Sequence, residues 1–111
     1  MGNNSSFYDD VFDLVKMIPE GRVTSYGTIA RYLGAKRSSR LVGWAMNGSH
    51  KKDSTIPAHR VVNRIGLLTG KAHFNPPSIM EEKLAAEGIV VINDQIQNFE
   101  TVFWDPFIEL G

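Results

Sequence analysis

The chain contains no cysteine, which excludes disulfides, thiolate metal ligands and thiol nucleophiles. Its three histidines, His50, His59 and His73, are too widely separated for the paired helical spacing that zinc sites often use. We therefore expect no metal site and no cofactor. No apolar run approaches the length of a membrane span, and the first residues lack the basic and apolar regions of a signal peptide. These absences lead us to expect a cytoplasmic protein without a membrane partner.

The length of 111 residues suits one domain with a real hydrophobic core. With 42% hydrophobic and 22% charged residues, the composition is that of an ordinary globular protein. We expect a single monomeric domain over residues 1–111, with a flexible polar leader at 1–5. The aromatic tail at 93–111 is expected to pack back on the core or to cover a groove.

The net charge is zero, but the charges are segregated along the chain. Between Lys16 and Lys71 there are eleven lysines and arginines against two acids, a net charge of 11 − 2 = +9. Outside that segment ten acids face only Lys83. A basic segment of this kind is typical of a phosphate-binding surface. On charge alone, a solvated basic surface without a partner explains the pattern equally well.

Apolar spacing predicts a first helix from Phe7 to Ile18, with Ser6 as its N-cap. Ser25 is expected to cap a second helix over 26–33, and Ser38 or Ser39 a third over 39–47. Two short helices joined by a brief turn make a helix-turn-helix. Small residues beside Arg40 would let the third helix approach a DNA groove closely. Simple helix packing without DNA binding explains the same pattern.

The second half of the sequence predicts a smaller β component. Val61-Val62 and Leu67-Leu68 flank a turn at 63–66, which suits a small β-hairpin. Ser78 opens a capping box for a helix that Gly88 ends, and a β-type run follows at 89–92. The predicted fold class is mostly α (α+β), a winged helix-turn-helix-like DNA-binding domain with a small β-hairpin.

Four motifs in one order give a more specific indication. They are Thr24–Ala30 (TSYGTIA), Arg40–Met46 (RLVGWAM), Ile56–Val62 (IPAHRVV) and Leu84–Gly88 (LAAEG). Together they resemble the DNA-binding domain of the O6-alkylguanine-DNA alkyltransferases, over roughly residues 7–92. In that family a cysteine between the proline and the histidine removes the alkyl group from guanine. Ala58 stands there in this chain, so no catalytic residue is expected.

With alanine at that position, the chain is similar to the alkyltransferase-like proteins. These relatives bind O6-alkylguanine in double-stranded DNA by nucleotide flipping, without dealkylation, and pass the lesion to nucleotide excision repair. The resemblance implies that Tyr26 presses on a phosphate and that Arg40 fills the gap in the duplex. It also implies that the helix over 39–47 lies in the minor groove, with Gly43 allowing close approach. Trp44 is expected to point into the core.

The resemblance therefore implies a complete set of site residues. The expected DNA contacts are Tyr26, Ser39, Arg40, Gly43, Lys51 and Arg60. The expected lesion pocket is formed by Tyr26, Pro57, Ala58, His59, Arg60 and Lys71, with Glu87 as structural support. The implied partners are DNA containing alkylated guanine and nucleotide excision repair proteins, with association with the nucleoid when DNA is bound.

Two other functions remain open at this stage. One is a true alkyltransferase in which the cysteine was replaced by alanine through engineering. The other is a sequence-specific helix-turn-helix regulator, whose recognition helix would read base edges in the major groove of undamaged DNA.

Overall fold

The computed structural model describes residues 4–34, 39–49 and 53–111. Its helices are α1 (Asn4–Lys16), α2 (Tyr26–Tyr32), α3 (Ser39–Asn47), α4 (Ser78–Ala86), α5 (Phe99–Val102) and α6 (Pro106–Glu109). Its strands are β1 (Thr24–Ser25), β2 (Val61–Val62), β3 (Val91–Ile92) and β4 (Gln95–Ile96), and two 3₁₀ turns span Ala58–Arg60 and Lys71–His73. Within these ranges no helix is long and apolar enough to cross a membrane.

Helix α1 supplies one wall of the core. Val11, Leu14, Val15 and Ile18 recur on one side of the segment and are almost fully buried. The helix begins at Asn4, two residues before the predicted cap. The prediction of Ser6 as N-cap is therefore wrong, and residues 4 and 5 belong to the helix rather than to a leader. Helix ends are the least certain part of a sequence-based prediction, and residues 1–3 lie outside the described part of the chain.

Helices α2 and α3 form the predicted helix pair. Ser25 caps α2, because its hydroxyl oxygen accepts a hydrogen bond from the Thr28 amide at 3.2 Å. Ile29 and Ala30 of α2 are buried, as are the inward side chains of α3. Helix α3 has the predicted bounds, whereas the predicted cap Ser38 and the turn before it lie outside the described residues.

The β-hairpin forms at a different place from the one predicted. Strand β2 pairs in parallel with β1, with Thr24 opposite Val61, and the antiparallel pair is β3 with β4. The turn at 63–66 does form, with the Gly66 amide donating to the Asn63 carbonyl at 3.0 Å. It leads Leu67 to a bridge with Gln95 instead of back along β2. The α+β class with one small hairpin is confirmed, but its location at 61–68 was wrong.

Helix α4 carries Met80 and Leu84 into the core and ends before Gly88. Gly88 has a φ of 86°, in the left-handed region that glycine adopts without strain, which explains the predicted end of this helix. The predicted capping box at Ser78 is wrong. The N-cap position is Pro77, which makes no side-chain capping bond, and Ser78 already lies inside the helix.

The aromatic tail is fastened to the core beside β1. The Val23 amide donates to the Val102 carbonyl at 2.9 Å, and the Trp104 amide donates to the Val23 carbonyl at 2.7 Å. The Arg22 guanidinium donates to the Val102 and Phe103 carbonyls, and the Trp104 side chain is buried. The tail therefore packs on the core beside β1 through both backbone bonds and a buried indole.

Candidate nucleic-acid interface

Ala58 lies at the floor of a small pocket. Pro57 precedes it and the 3₁₀ turn Ala58–Arg60 leads directly into buried β2, so the backbone direction here is fixed. The pocket is lined by Tyr26, Met46, Asn47, Ala58, Gly70, His73, Phe74 and Met80. Its volume of about 10 Å³ is near the minimum for one water molecule. A purine base therefore fits only after lining side chains move.

Tyr26 is held over this pocket by the chain segment at 69–70. A Cβ atom added to Gly70 would lie 2.7 Å from the Tyr26 hydroxyl oxygen, closer than real Cβ contacts. A side chain at position 70 would therefore force the Tyr26 phenol to shift. Burial raises the pKa of Tyr26, against a smaller opposing effect of the Thr69 hydroxyl, so the phenol is neutral at physiological pH.

The structure places His73, rather than Lys71, at the pocket. Lys71 forms an ion pair with Asp94, and its side chain is partly exposed beside the hairpin. His73 lies two residues further along the same 3₁₀ turn and lines the pocket with Tyr26. The sequence reasoning missed His73, although a second polar residue in this short turn was the available signal.

The Glu87 carboxylate joins three parts of the chain beneath the pocket. Its Oε2 lies 2.7 Å from His59 Nε2 and accepts a hydrogen bond from Arg60 Nη2 at 2.8 Å. Its Oε1 accepts from the Gly21 amide at 2.9 Å, while Arg60 Nε reaches both oxygens at 3.1 and 3.2 Å. Arg60 Nη1 also donates to the Ile18 carbonyl at 2.8 Å. The ends of α1 and α4 are thereby tied to the Ala58–Arg60 turn.

The protonation states of this network follow from burial and pairing. Burial lowers the pKa of His59, so the imidazole is neutral at pH 7 despite the neighbouring carboxylate. Burial opposes ionisation of Glu87, but hydrogen bonds from Arg60, the Gly21 amide and His59 outweigh it and lower the pKa of Glu87 to about 2. An ionised Glu87 accepts the proton of His59 Nε2, which leaves Nδ1 as an acceptor without a partner among the described residues.

This arrangement provides a proton acceptor but no nucleophile. A neutral imidazole with a free Nδ1 can take a proton from a neighbouring nucleophile, and Glu87 would stabilise the resulting cation. Ala58, the residue beside it, carries neither a proton to give nor a lone pair with which to attack. Glu87 thus lies beside His59, where it can support the imidazole, while position 58 carries no nucleophilic atom.

Arg60 takes a different position from the one expected of a DNA contact. Its guanidinium is committed to Glu87 and to the Ile18 carbonyl, and its side chain is only 15% exposed. A cation already paired with a buried carboxylate neutralises no phosphate. We therefore assign Arg60 to the support of the pocket floor.

Helix α3 presents a polar and aromatic face to solvent. Arg40, Trp44 and Asn47 are exposed, whereas Val42, Ala45 and Met46 face the core. The prediction that Trp44 points inward is wrong, because its side chain is 54% exposed. The physical reason is helical phase: Trp44 lies four residues after Arg40, only about 40° around the helix from it. The inward positions are already filled by smaller side chains.

Gly43 lies at the edge of the same face of α3. Glycine inside a helix is destabilising by about 1 kcal/mol relative to alanine. A Cβ atom added at Gly43 would meet nothing within 4 Å among the described residues. Packing within the described chain therefore does not demand glycine at position 43.

The cations of the basic segment divide into paired and unpaired side chains. Lys16, Arg22, Arg60 and Lys71 bond to other parts of the chain. Within residues 4–34, 39–49 and 53–111, neither Arg40 nor Arg64 has a hydrogen-bond or ion-pair partner, and both are exposed. Lys51, an expected DNA contact, lies outside the described residues. The charge available to a ligand is therefore smaller than the sequence count suggests.

A cleft of about 640 Å³ is also lined by Tyr26 but does not include Ala58. It is lined by Ser25, Tyr26, Gly27, Thr28, Arg31, Ser39, Asn63, Arg64, Phe99, Glu100 and Phe103. Tyr26 and Ser39, both expected DNA contacts, are thus brought together here with two arginines. This cleft and the exposed face of α3 share Ser39 and the N-terminal end of that helix, so they form one continuous surface.

The sequence of this chain is similar to those of known DNA-binding proteins. Residues 6–89 match the model of the 6-O-methylguanine DNA methyltransferase, DNA binding domain. Alkyltransferase-like protein 1 of Schizosaccharomyces pombe is 33% identical over 104 residues, covering 90% of this chain and 95% of the relative. A DNA base-flipping protein of Escherichia coli (strain K12) is 38% identical over 93 residues, covering 82% of this chain and 68% of the relative.

The fold is also similar to that of a solved protein–DNA complex. The structure of S. pombe Atl1 bound to damaged DNA containing O6-carboxymethylguanine matches with a TM-score of 0.80 at 33% identity. The match covers 92% of this chain and 97% of the Atl1 chain. The fold similarity therefore extends over nearly the whole chain.

Removal of the Glu87 charge should change how stability depends on pH. Because the pKa of Glu87 is lowered from 4.5 to about 2, its contribution is present above pH 4.5 and is lost as the pH falls toward 2. We expect Glu87→Gln to lower the free energy of unfolding by about 3–5 kcal/mol at pH 7, since it breaks a buried ion pair. Urea unfolding between pH 7 and pH 2 measures both effects.

Glu82→Gln is the matched control, because Glu82 is an exposed residue of α4. It should leave the pH profile of unfolding unchanged. If Glu87→Gln and the unaltered protein gave parallel profiles below pH 4.5, the ion-pair account of Glu87 would be wrong.

Proposed function

The chain belongs to the family of the 6-O-methylguanine DNA methyltransferase DNA-binding domain, as a non-enzymatic alkyltransferase-like member, and we propose that it recognises O6-alkylguanine in double-stranded DNA. The observation that carries this proposal is Ala58 on the pocket floor, beside an intact His59–Glu87 pair. The site keeps the groups that surround a flipped base and lacks the nucleophile. Recognition without dealkylation is the function that such a site can perform.

Binding begins on the exposed face of α3. Gly43 lets the helix backbone approach the floor of the minor groove, and Arg40 projects from the same helix without an internal partner among the described residues. A planar guanidinium can stack between bases and hydrogen-bond to the base left unpaired. Arg40 therefore fills the gap that a flipped guanine leaves, and this offsets the unstacking cost of a few kcal/mol.

The flipped base then opens the pocket beside Ala58. Because the free pocket holds only about 10 Å³, the base displaces lining side chains, among which Tyr26 and His73 reach the pocket from separate elements. Tyr26 begins α2 and lies between this pocket and the neighbouring cleft, where it can contact the phosphate of the flipped nucleotide. The small side chain of Ala58 leaves room for the O6-alkyl group.

A protein that binds a lesion without repairing it is useful only if another activity removes the lesion. We therefore propose that the bound complex passes the lesion to nucleotide excision repair proteins. We also propose that the chain acts as a cytoplasmic monomer that associates with the nucleoid when it binds DNA. One chain carries Tyr26, Arg40, Gly43 and Ala58, so the proposed binding mode needs no second copy of the protein.

Affinity for matched duplexes tests this function. The protein should bind a labelled duplex containing one O6-methylguanine more tightly than the same duplex with guanine, and both affinities should fall with salt because phosphates are neutralised. Arg40→Ala should reduce the preference for the lesion, since it removes the group that fills the gap. Arg64→Ala should weaken both complexes alike. Equal affinity of the unaltered protein for the two duplexes would exclude lesion recognition.

The outcome also separates the two other candidate functions. A sequence-specific regulator would prefer one base sequence in undamaged DNA over O6-methylguanine in any context. An alkyltransferase inactivated by replacement of its cysteine would share lesion binding, but the variant with cysteine restored at position 58 would then transfer the alkyl group efficiently.

Gly43→Ala should affect stability and DNA binding in opposite directions. Open space around the added Cβ and the better helix propensity of alanine should raise the free energy of unfolding by about 0.5–1 kcal/mol. The same methyl group should hold α3 away from the groove floor and weaken DNA binding by roughly 10-fold, or 1.4 kcal/mol. Urea unfolding and fluorescence anisotropy of a labelled duplex measure the two effects.

A Ser39→Ala variant serves as a comparison, since it removes one hydroxyl from the same exposed face without adding bulk. Unchanged DNA affinity in Gly43→Ala would show that α3 does not approach the groove at Gly43.

A further inference from the structure

Trp44 is a large apolar side chain that the fold leaves in solvent. It is 54% exposed in the middle of α3, and no aromatic ring among the described residues contacts it. The other tryptophan, Trp104, is 3% exposed. An indole this accessible buries a large apolar area when a ligand covers it, so Trp44 can contribute to binding if α3 contacts a partner.

The position of Trp44 on α3 indicates that its binding partner is the one that Arg40 and Gly43 contact. Arg40, Trp44 and Asn47 lie one turn apart on the exposed face of α3, with Gly43 at its edge. Trp44 is about 6 Å along the helix axis from Arg40. The surface that receives Arg40 and Gly43 must therefore also meet the indole.

The width of the minor groove indicates which part of DNA contacts Trp44. The minor groove of B-form DNA is about 6 Å wide, whereas a helix with its side chains is about 10–12 Å across. Helix α3 can lie in this groove only if the groove widens, and apolar side chains of architectural proteins commonly stabilise such a deformation. The groove walls are lined by deoxyribose, whose carbon faces are apolar.

We infer that Trp44 is a DNA-contacting residue that packs its indole against deoxyribose on one wall of the widened minor groove, about one helical turn from the Arg40 wedge. This inference rests on the proposed function, because it requires α3 to lie in the groove. In this inference Trp44 increases affinity for DNA with a widened minor groove but does not distinguish damaged from undamaged guanine. The reason is that the indole contacts a sugar and lies away from the flipped base.

Accessibility of the two tryptophans to acrylamide tests the contact directly. In the free protein the quenchable emission should come from Trp44, because Trp104 is buried. Addition of the O6-methylguanine duplex should reduce that quenching, with binding followed independently by anisotropy of the labelled DNA. In Trp44→Phe, DNA should leave the quenching of Trp104 unchanged.

Affinities of three variants complete the test. Trp44→Ala should weaken binding to damaged and undamaged duplexes alike, by roughly 10-fold, since it removes the apolar area that the indole buries against the sugar. The dependence on salt should stay the same, because an indole releases no counterions. Trp44→Phe should fall between Trp44→Ala and the unaltered protein. Ile92→Ala is the matched control, because Ile92 is also 54% exposed but lies on the hairpin.

The outcomes distinguish this inference from the proposed function. The contact would be overturned if Trp44 stayed accessible to acrylamide in the complex, or if Trp44→Ala bound DNA as tightly as Ile92→Ala. Lesion recognition would stand in either case, provided that the protein still preferred the damaged duplex. Loss of affinity confined to the damaged duplex would overturn the assignment to the sugar wall. Failure of the unaltered protein to bind either duplex would overturn both proposals.

Discussion

The buried carboxylate of Glu87 is the interaction on which the pocket floor depends. It accepts hydrogen bonds from His59 and Arg60 of one turn and from the Gly21 amide, so its partners come from two separate parts of the chain. Removing Arg60 would take away the opposite charge and leave the partly buried carboxylate without its ion-pair partner, which is costly. The turn that carries Ala58 is therefore held in one position between α1, β2 and α4. A rigid floor is useful for recognition, because the shape of the pocket then depends on the residues that move above it.

Above that floor, the binding surface combines a closed pocket with an open helix face. Space beside Ala58 is almost absent until Tyr26 and its neighbours move, whereas Arg40, Gly43 and Trp44 are already exposed on α3. Contact with the groove can therefore precede flipping, and opening of the pocket is driven by the binding energy of the base. A lesion that weakens its own base pair lowers the cost of this step, and this favours damaged over normal guanine.

Local signals were sufficient to predict α2 and α3, because Ser25 and the apolar spacing act within a few residues of each other. Pairing across long distances in sequence was not predictable. Strand β2 pairs with β1, and Arg60 bonds to Glu87 across 27 residues, which no short pattern indicates. Trp44 was assigned to the core from its residue type, but helical phase places it in solvent. The resemblance of the motif around Ala58 located the pocket floor, whereas the place of His73 required the three-dimensional structure.

The most direct test of the account is whether a base leaves the duplex when the protein binds. A duplex with 2-aminopurine at the target position reports this, because the fluorescence of that base rises when it is unstacked. We predict that binding, followed by anisotropy, is accompanied by a rise in fluorescence, and that Arg40→Ala reduces the rise at equal occupancy. Full binding of the unaltered protein with no change in fluorescence would contradict recognition through a flipped nucleotide.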